Sequence, residues 1–140
     1  MVVRGNEQPC LVDGDGRKCP QSRVEIRTAE VDYLPRRGIV VPIESGAATR
    51  IEYDVELGRK LIAFVGLHDY YARKSADGKL DLRVFIDGAE KAHVEHGNQN
   101  GWQRIEIDTA GMKGQHAVRF EVAARSAAWR TAVVAGEVQQ

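Results

Sequence analysis

From residue 23 onward the sequence alternates apolar and polar residues with a period of two, in short runs broken by turn residues. This pattern constrains the fold more than any other feature. Successive side chains of a strand point to opposite faces, so a half-buried strand alternates. No segment carries a sustained apolar stripe at helical spacing. Turn signals recur roughly every 8–12 residues, as in sandwiches and barrels. The expectation is an all-β domain over residues 23–140. It would be an antiparallel β-sandwich of about eight or nine strands. Its 140 residues suffice for one domain with its own core.

Individual runs sharpen this. Ile51, Tyr53 and Val55 face one way and Arg50, Glu52, Asp54 and Glu56 the other, a strand with one wet face. KLIAFVGL is apolar on both faces and reads as a central strand. Val24 and Ile26 alternate, then Ala29, Val31 and Tyr33 alternate in the opposite phase, which predicts a bulge near Thr28. Pro35 to Gly38 reads as a break, and Pro42 points to an edge position for the strand of Ile39, Val41 and Ile43. Asp87-Gly88 signals a tight hairpin, and the polar run 89–96 that follows reads as an edge strand. Residues 1–22 are rich in Gly, Asp and Pro without a period, and read as an N-terminal loop segment.

Charge excludes some functions. Lys and Arg total 20 and so do Asp and Glu, giving a formal net charge of zero. A nucleic-acid binder needs a basic excess for its phosphate contacts, so no nucleic-acid partner is expected. No apolar run reaches the length of a membrane span, so none is expected within this chain. The N-terminal residues lack a signal-peptide core, which leaves two readings open: a cytoplasmic protein, or part of a larger periplasmic or extracellular one. Cys10 and Cys19, nine positions apart, read as a disulfide of an oxidising compartment, against the alternative of two unrelated thiols.

Four stretches carry a further signal: IEYDVELGRKLIAFVGLHD, LRVFIDGAEK, GWQRIEID and VRFEVAARSAAWRTAVV. In them Gly66, Leu67, Asp69, Asp87, Gly88, Trp102 and Trp129 stand at turns and strand ends. From about residue 39 to residue 138 the chain resembles the galactose-binding-like jelly rolls. These include the discoidin-like modules and the NPCBM-type carbohydrate-binding modules appended to glycoside hydrolases. The resemblance implies a non-catalytic binding module, an accessory domain of a larger cell-envelope or exported protein, with a glycan as ligand. Many members carry a structural calcium ion, so calcium is the one cofactor the resemblance brings in. A second reading stays open: a structural or protein–protein docking and oligomerisation domain that binds a neighbouring domain or another protein, and no glycan.

No catalytic motif is present: no GxSxG, HExxH or phosphate-binding glycine loop. The chain is therefore read as not an enzyme. A sugar presents C–H faces and hydroxyl edges, and a site for it needs aromatic surface with a few placed polar groups. The 68–79 loop offers Asp69, Tyr70, Tyr71 and Arg73. Asn100 and Trp102 offer the same combination, with Trp102 on the solvent face of Arg104, Glu106 and Asp108 by alternation. The competing readings are that Asp69 shapes its loop, that one Tyr packs beneath it, and that Trp102 caps the core. Trp129 reads as core. His68 stands beside Asp69, which could orient an imidazole for proton transfer. His93 and His96, three apart on a strand, point to opposite faces and do not form a metal pair. Asp13-Gly14-Asp15-Gly16 begins like a calcium loop, but the twelfth position is Val24 rather than a glutamate.

Overall fold

The computed structural model describes the chain except residues 6–7, 20–22, 32, 44–47, 69–78, 98–100 and 125–129, and the side chain at 130. It is all-β. The strands are β1 (Val2–Gly5), β2 (Gln8–Pro9), β3 (Leu11–Asp13), β4 (Gly16–Lys18), β5 (Arg23–Val31), β6 (Leu34–Ile43) and β7 (Ala48–Leu57). They continue with β8 (Lys60–Leu67), β9 (Leu80–Ile86), β10 (Ala89–His96), β11 (Gln103–Asp108), β12 (Gly114–Ala124) and β13 (Arg130–Gln139). Two antiparallel sheets face each other, six-stranded β10-β9-β12-β7-β1-β2 and seven-stranded β11-β8-β13-β6-β5-β4-β3.

Among the described residues thirteen strands replace the expected eight or nine. Most of the surplus lies in residues 1–22, expected to be a loop segment, where the described residues form four short strands. There β1 extends the six-stranded sheet through Val3↔Ile51, and β4 extends the other through Arg17↔Val24. These strands are two to four residues long, too short to display a period. Cys10 and Cys19 are joined in a disulfide across this segment, and Cys19 sits in the core.

The inner faces are the expected alternating rows. Ile51 of β7, Leu82, Val84 and Ile86 of β9, and Val118, Phe120 and Val122 of β12 meet Leu61, Ala63, Val65 and Leu67 of β8 and Ala132 and Val134 of β13. As expected, β8 is central, between β11 and β13, and β10 lies at an edge.

The hairpin β5–β6 departs from the sequence reading. Its register runs unbroken from Glu25↔Val40 to Val31↔Leu34, with no bulge at Thr28, and Pro35 to Gly38 lies inside β6. The apolar residues change face while the backbone does not. Val24 and Ile26 face the sandwich core, while Ala29 belongs to a second apolar cluster with Val40, Val133 and Trp102. The physical reason is a fold-over. β6 pairs with β13 only as far as Ile39↔Val134, and the rest of the hairpin turns back across the outer face of its own sheet. Gly38 permits the turn: a Cβ there would lie 2.9 Å from the Val134 carbonyl oxygen. Gly66 receives the tip, since a Cβ there would lie 2.9 Å from Val31 Cγ2. β6 is not an edge strand, but its ladder with β5 has ended at Val40, so Pro42 pairs only with Thr131.

Candidate functional site

The topology gathers the candidate loops at one pole. In the six-stranded sheet His96 pairs with Leu80, Leu80 with Ala124 and Ala48 with Ala123, so these strand ends are level. In the seven-stranded sheet Ile43 pairs with Arg130, Ala132 with Leu67 and Val65 with Gln103. The connections 44–47, 68–79, 97–102 and 125–129 all cross from one row to the other. The short 44–47 connection fixes both rows at the same pole. The anchors of the 68–79 loop and of the Asn100–Trp102 stretch are therefore neighbours, two residues apart across the β8–β11 ladder. Asp69, Tyr70, Tyr71, Arg73, Asn100 and Trp129 themselves lie outside the described residues.

Trp102 is described, and neither earlier alternative fits it fully. It does share the outer face of the seven-stranded sheet with Arg104 and Glu106, as alternation requires, and it does not cap the main core. That outer face is not bare, however. The indole rests half-buried against Ile62, Phe64 and Ala135 on one side and Ala29, Val40 and Val133 on the other. Its Nε1–H donates to the Leu34 carbonyl at 2.9 Å. The Arg36 guanidinium stacks over Phe64 with Cζ 3.5 Å from the ring centroid, and lies 5.8 Å from the Trp102 ring. His68 Nδ1 lies 3.1 Å from the Glu30 carbonyl oxygen, so this imidazole ties the first residue of its loop to the hairpin.

Sequence reasoning missed Tyr33, Arg36 and Phe64 as members of this region. Alternation puts Tyr33 in phase with Ala29 and Val31, which are buried. Tyr33 sits instead at the hairpin tip, 94% exposed and with φ of 64°. The available signal was the pair of positions 32 and 33 between two apolar-alternating runs, the length of a tight hairpin connection.

The other candidates resolve into structural roles. His93 pairs with Asp81 at 3.1 Å on the exposed face, while His96 is buried with Nδ1 3.0 Å from Gln103 Oε1; the two point apart as expected. The Asp13 carboxylate is engaged by the Arg23 guanidinium at the β3–β4 hairpin, which removes it as a calcium ligand. Among the described residues no group of three or more His, Cys, Asp or Glu side chains gathers that could hold a metal ion. His116 at the start of β12 is 2.6 Å from Asp87 Oδ2, and Asp87 Oδ1 accepts the Ala117 amide at 3.0 Å. That hydrogen bond raises the His116 pKa and lowers that of Asp87.

An apolar cleft of about 270 Å³ opens at the other end of the sandwich, where β6 leaves β13. Ile26, Tyr53, Phe120 and Val138 line it, with Arg37 and Glu137 at its mouth. The Tyr53 hydroxyl bonds Met1 Sδ at 2.9 Å, and burial raises its pKa. Trp102 is not among the described residues that line this cleft.

No family model matches the chain, and no curated protein matches it by sequence. Solved structures do match. The second CBM51 module of ZmpB from Clostridium perfringens, in a structure with GlcNAc, is 19% identical over 77% of this chain, with a TM-score of 0.54. This chain spans only 23% of that structure's length. The CBM51 of a GH95 protein from Clostridium perfringens, solved with methyl-galactose, is 12% identical over 78% of this chain and 80% of its own, at 0.50. The tandem CBM51 modules of a family 98 glycoside hydrolase from Streptococcus pneumoniae are 12% identical over 82% of this chain and 36% of their own, also at 0.50. At these identities the likeness speaks to architecture alone: the two-sheet antiparallel β-sandwich of this chain is similar to the sandwiches of these CBM51 modules.

Proposed function

We propose that this domain is a non-catalytic carbohydrate-binding module, an accessory domain of a larger exported or cell-envelope protein. Its glycan site would lie at the loop pole, on the 68–79 and 97–102 loops. One observation carries the reading: the topology brings the anchors of both aromatic-bearing loops to one pole, beside Trp102. In this reading Tyr70 and Tyr71 supply stacking surface, and Asp69, Arg73 and Asn100 bond sugar hydroxyls. Trp102 supports the platform, with its own N–H committed to Leu34. The disulfide between Cys10 and Cys19 supports an oxidising compartment. The absence of a catalytic motif supports a binding role, since the described histidines and Asp13 are held in local structural contacts.

The test is binding of the purified domain to immobilised oligosaccharides ending in galactose or N-acetylglucosamine, with and without calcium, beside a Tyr70→Ala/Tyr71→Ala double variant. Binding that the variant loses supports the site. Binding that the variant keeps moves it off the 68–79 loop.

A docking domain is the second reading, and one observation favours it. Leu11 and Val12 on β3 are 71% and 74% exposed, and β3 is the free edge of the seven-stranded sheet. An apolar edge strand is a template for pairing with another chain. Concentration-dependent sedimentation, abolished by Val12→Lys, would establish it.

A further inference from the structure

Tyr33 is at odds with its position. The tip joins Val31 to Leu34 through two residues, and connections of this length use left-handed backbone that suits Asn or Gly. Tyr33 adopts that backbone at φ 64°, where its Cβ crowds the chain. Its ring is 94% exposed, so no burial offsets the strain. Leu34 beside it is 61% exposed. Strain of this kind persists only where the surroundings hold it.

The surroundings do hold it. The Trp102 indole donates to the Leu34 carbonyl, the His68 ring bonds the Glu30 carbonyl, and Val31 is seated on Gly66. These contacts pin the tip on both sides of Tyr33 to the first residue of one candidate loop and the last residue of the other. The backbone that carries the ring is thus held in place, and the ring projects into water beside the His68 and Trp102 anchors of both loops. The Arg36 guanidinium, stacked over Phe64, brings a planar set of donors beside the Trp102 ring.

From this geometry we infer that Tyr33 is a preorganised stacking platform for a pyranose ring, extending the glycan site from the loops onto the hairpin tip. A pyranose carries an apolar C–H face that stacks on an aromatic ring, and a ring on a pinned backbone has only its own side-chain torsions to order on binding. The inference rests on the glycan reading above and adds a residue and a direction to it.

Two variants test it on the same oligosaccharide panel. Tyr33→Asn keeps a residue suited to the left-handed backbone and removes the ring. Tyr33→Phe keeps the ring. The expected result is affinity weakened about tenfold in Tyr33→Asn and held within about twofold in Tyr33→Phe. The melting temperature of Tyr33→Asn should not fall, because the strain is relieved. Ring resonances of Tyr33 should shift on titration of the unaltered protein. If the unaltered protein binds an oligosaccharide and Tyr33→Asn binds it equally well, the platform is overturned and the glycan reading stands. If the unaltered protein binds none, both fall together.

Discussion

The two sheets present opposite outer faces. The six-stranded sheet turns a plate of charges to water. On it Arg50 pairs with Glu121 at 3.0 Å, Arg83 with Glu90 at 2.8 Å, and the Arg119 guanidinium lies 4.2 Å over the Phe85 ring. The seven-stranded sheet carries Ile62, Phe64, Val133 and Ala135 outward, all buried, because the β5–β6 hairpin and Trp102 lie over them. Charge returns at its margins, at β11, where Glu106 bridges Lys60 and Arg104, and along β3–β5, where Arg23 pairs with Asp13 and Glu25. One face is a sheet meeting water; the other is a sheet with a small second core, and the pinned hairpin tip grows out of that core.

The largest expected effect separates the faces by removing one phenylalanine from each. Phe64→Ala empties a packed position under the hairpin and should cost about 3 kcal/mol or more in urea unfolding. Phe85→Ala removes a half-exposed ring under Arg119 and should cost only about 1 kcal/mol. Equal costs would mean that the hairpin does not cover its sheet in solution.

This contrast also marks what the sequence could tell. Alternation records whether a face meets core or water, so β7, β9 and β12, which have one wet face, were legible with their inward residues. The run KLIAFVGL was rightly read as central, but its apolar outer residues Ile62 and Phe64 have a cause the pattern does not carry, since a covering hairpin and a packed neighbouring layer leave the same signature. The same ambiguity turned β5 into an apparent bulge: Val24 and Ile26 serve one core, Ala29 the other. Trp102 was given the correct face and the wrong surroundings for that reason. The gathering of the candidate loops was not legible, because it depends on which sheet each strand joins, and that is a property of long-range pairing. Tyr33 was missed because an aromatic in an alternating run reads as core, whereas its backbone places it at a turn.

A smaller effect sharpens the comparison at a single atom. Trp102→Phe keeps most of the apolar contact and deletes the bond to the Leu34 carbonyl, and should cost about 1 kcal/mol. It should also raise amide exchange at the β5–β6 tip while leaving β9 and β12 unchanged. Uniform loosening of both sheets would show that the tip is not held independently.

On the open face the matching pair is Arg50 and Glu121, both partly exposed. A double-mutant cycle through Arg50→Ala and Glu121→Ala should give a coupling below about 1 kcal/mol that fades in high salt. A larger, salt-resistant coupling would show that this face is covered as well, and the contrast between the sheets would fail.

The smallest effect tests whether the open sheet responds to pH at its end. Asp87 lies at the β9–β10 turn with φ of 50°, held by the His116 ring and the Ala117 amide. The hydrogen bond to Asp87, aided by the Lys113 carbonyl, raises the His116 pKa above its unfolded value. Its contribution is therefore complete below the ordinary imidazole range and disappears as pH rises through the raised value. The bonds from His116 and Ala117 lower the Asp87 pKa, so its contribution is complete above the ordinary carboxylate range and disappears as pH falls through the lowered value. Between those ranges the clamp is whole, and the turn should show its greatest protection there. In an imidazole NMR titration His116 should titrate above the ordinary imidazole range. His116→Gln should remove the alkaline loss of protection at Asp87 and Gly88 without altering exchange at the Tyr33 tip, whose described pins are an indole, a packed valine on a glycine and the His68 imidazole, none of them in contact with His116. A Tyr33 tip that loosened with the same pH profile would join the two ends into one cooperative unit and erase the distinction between a face built on packing and a face built on charge.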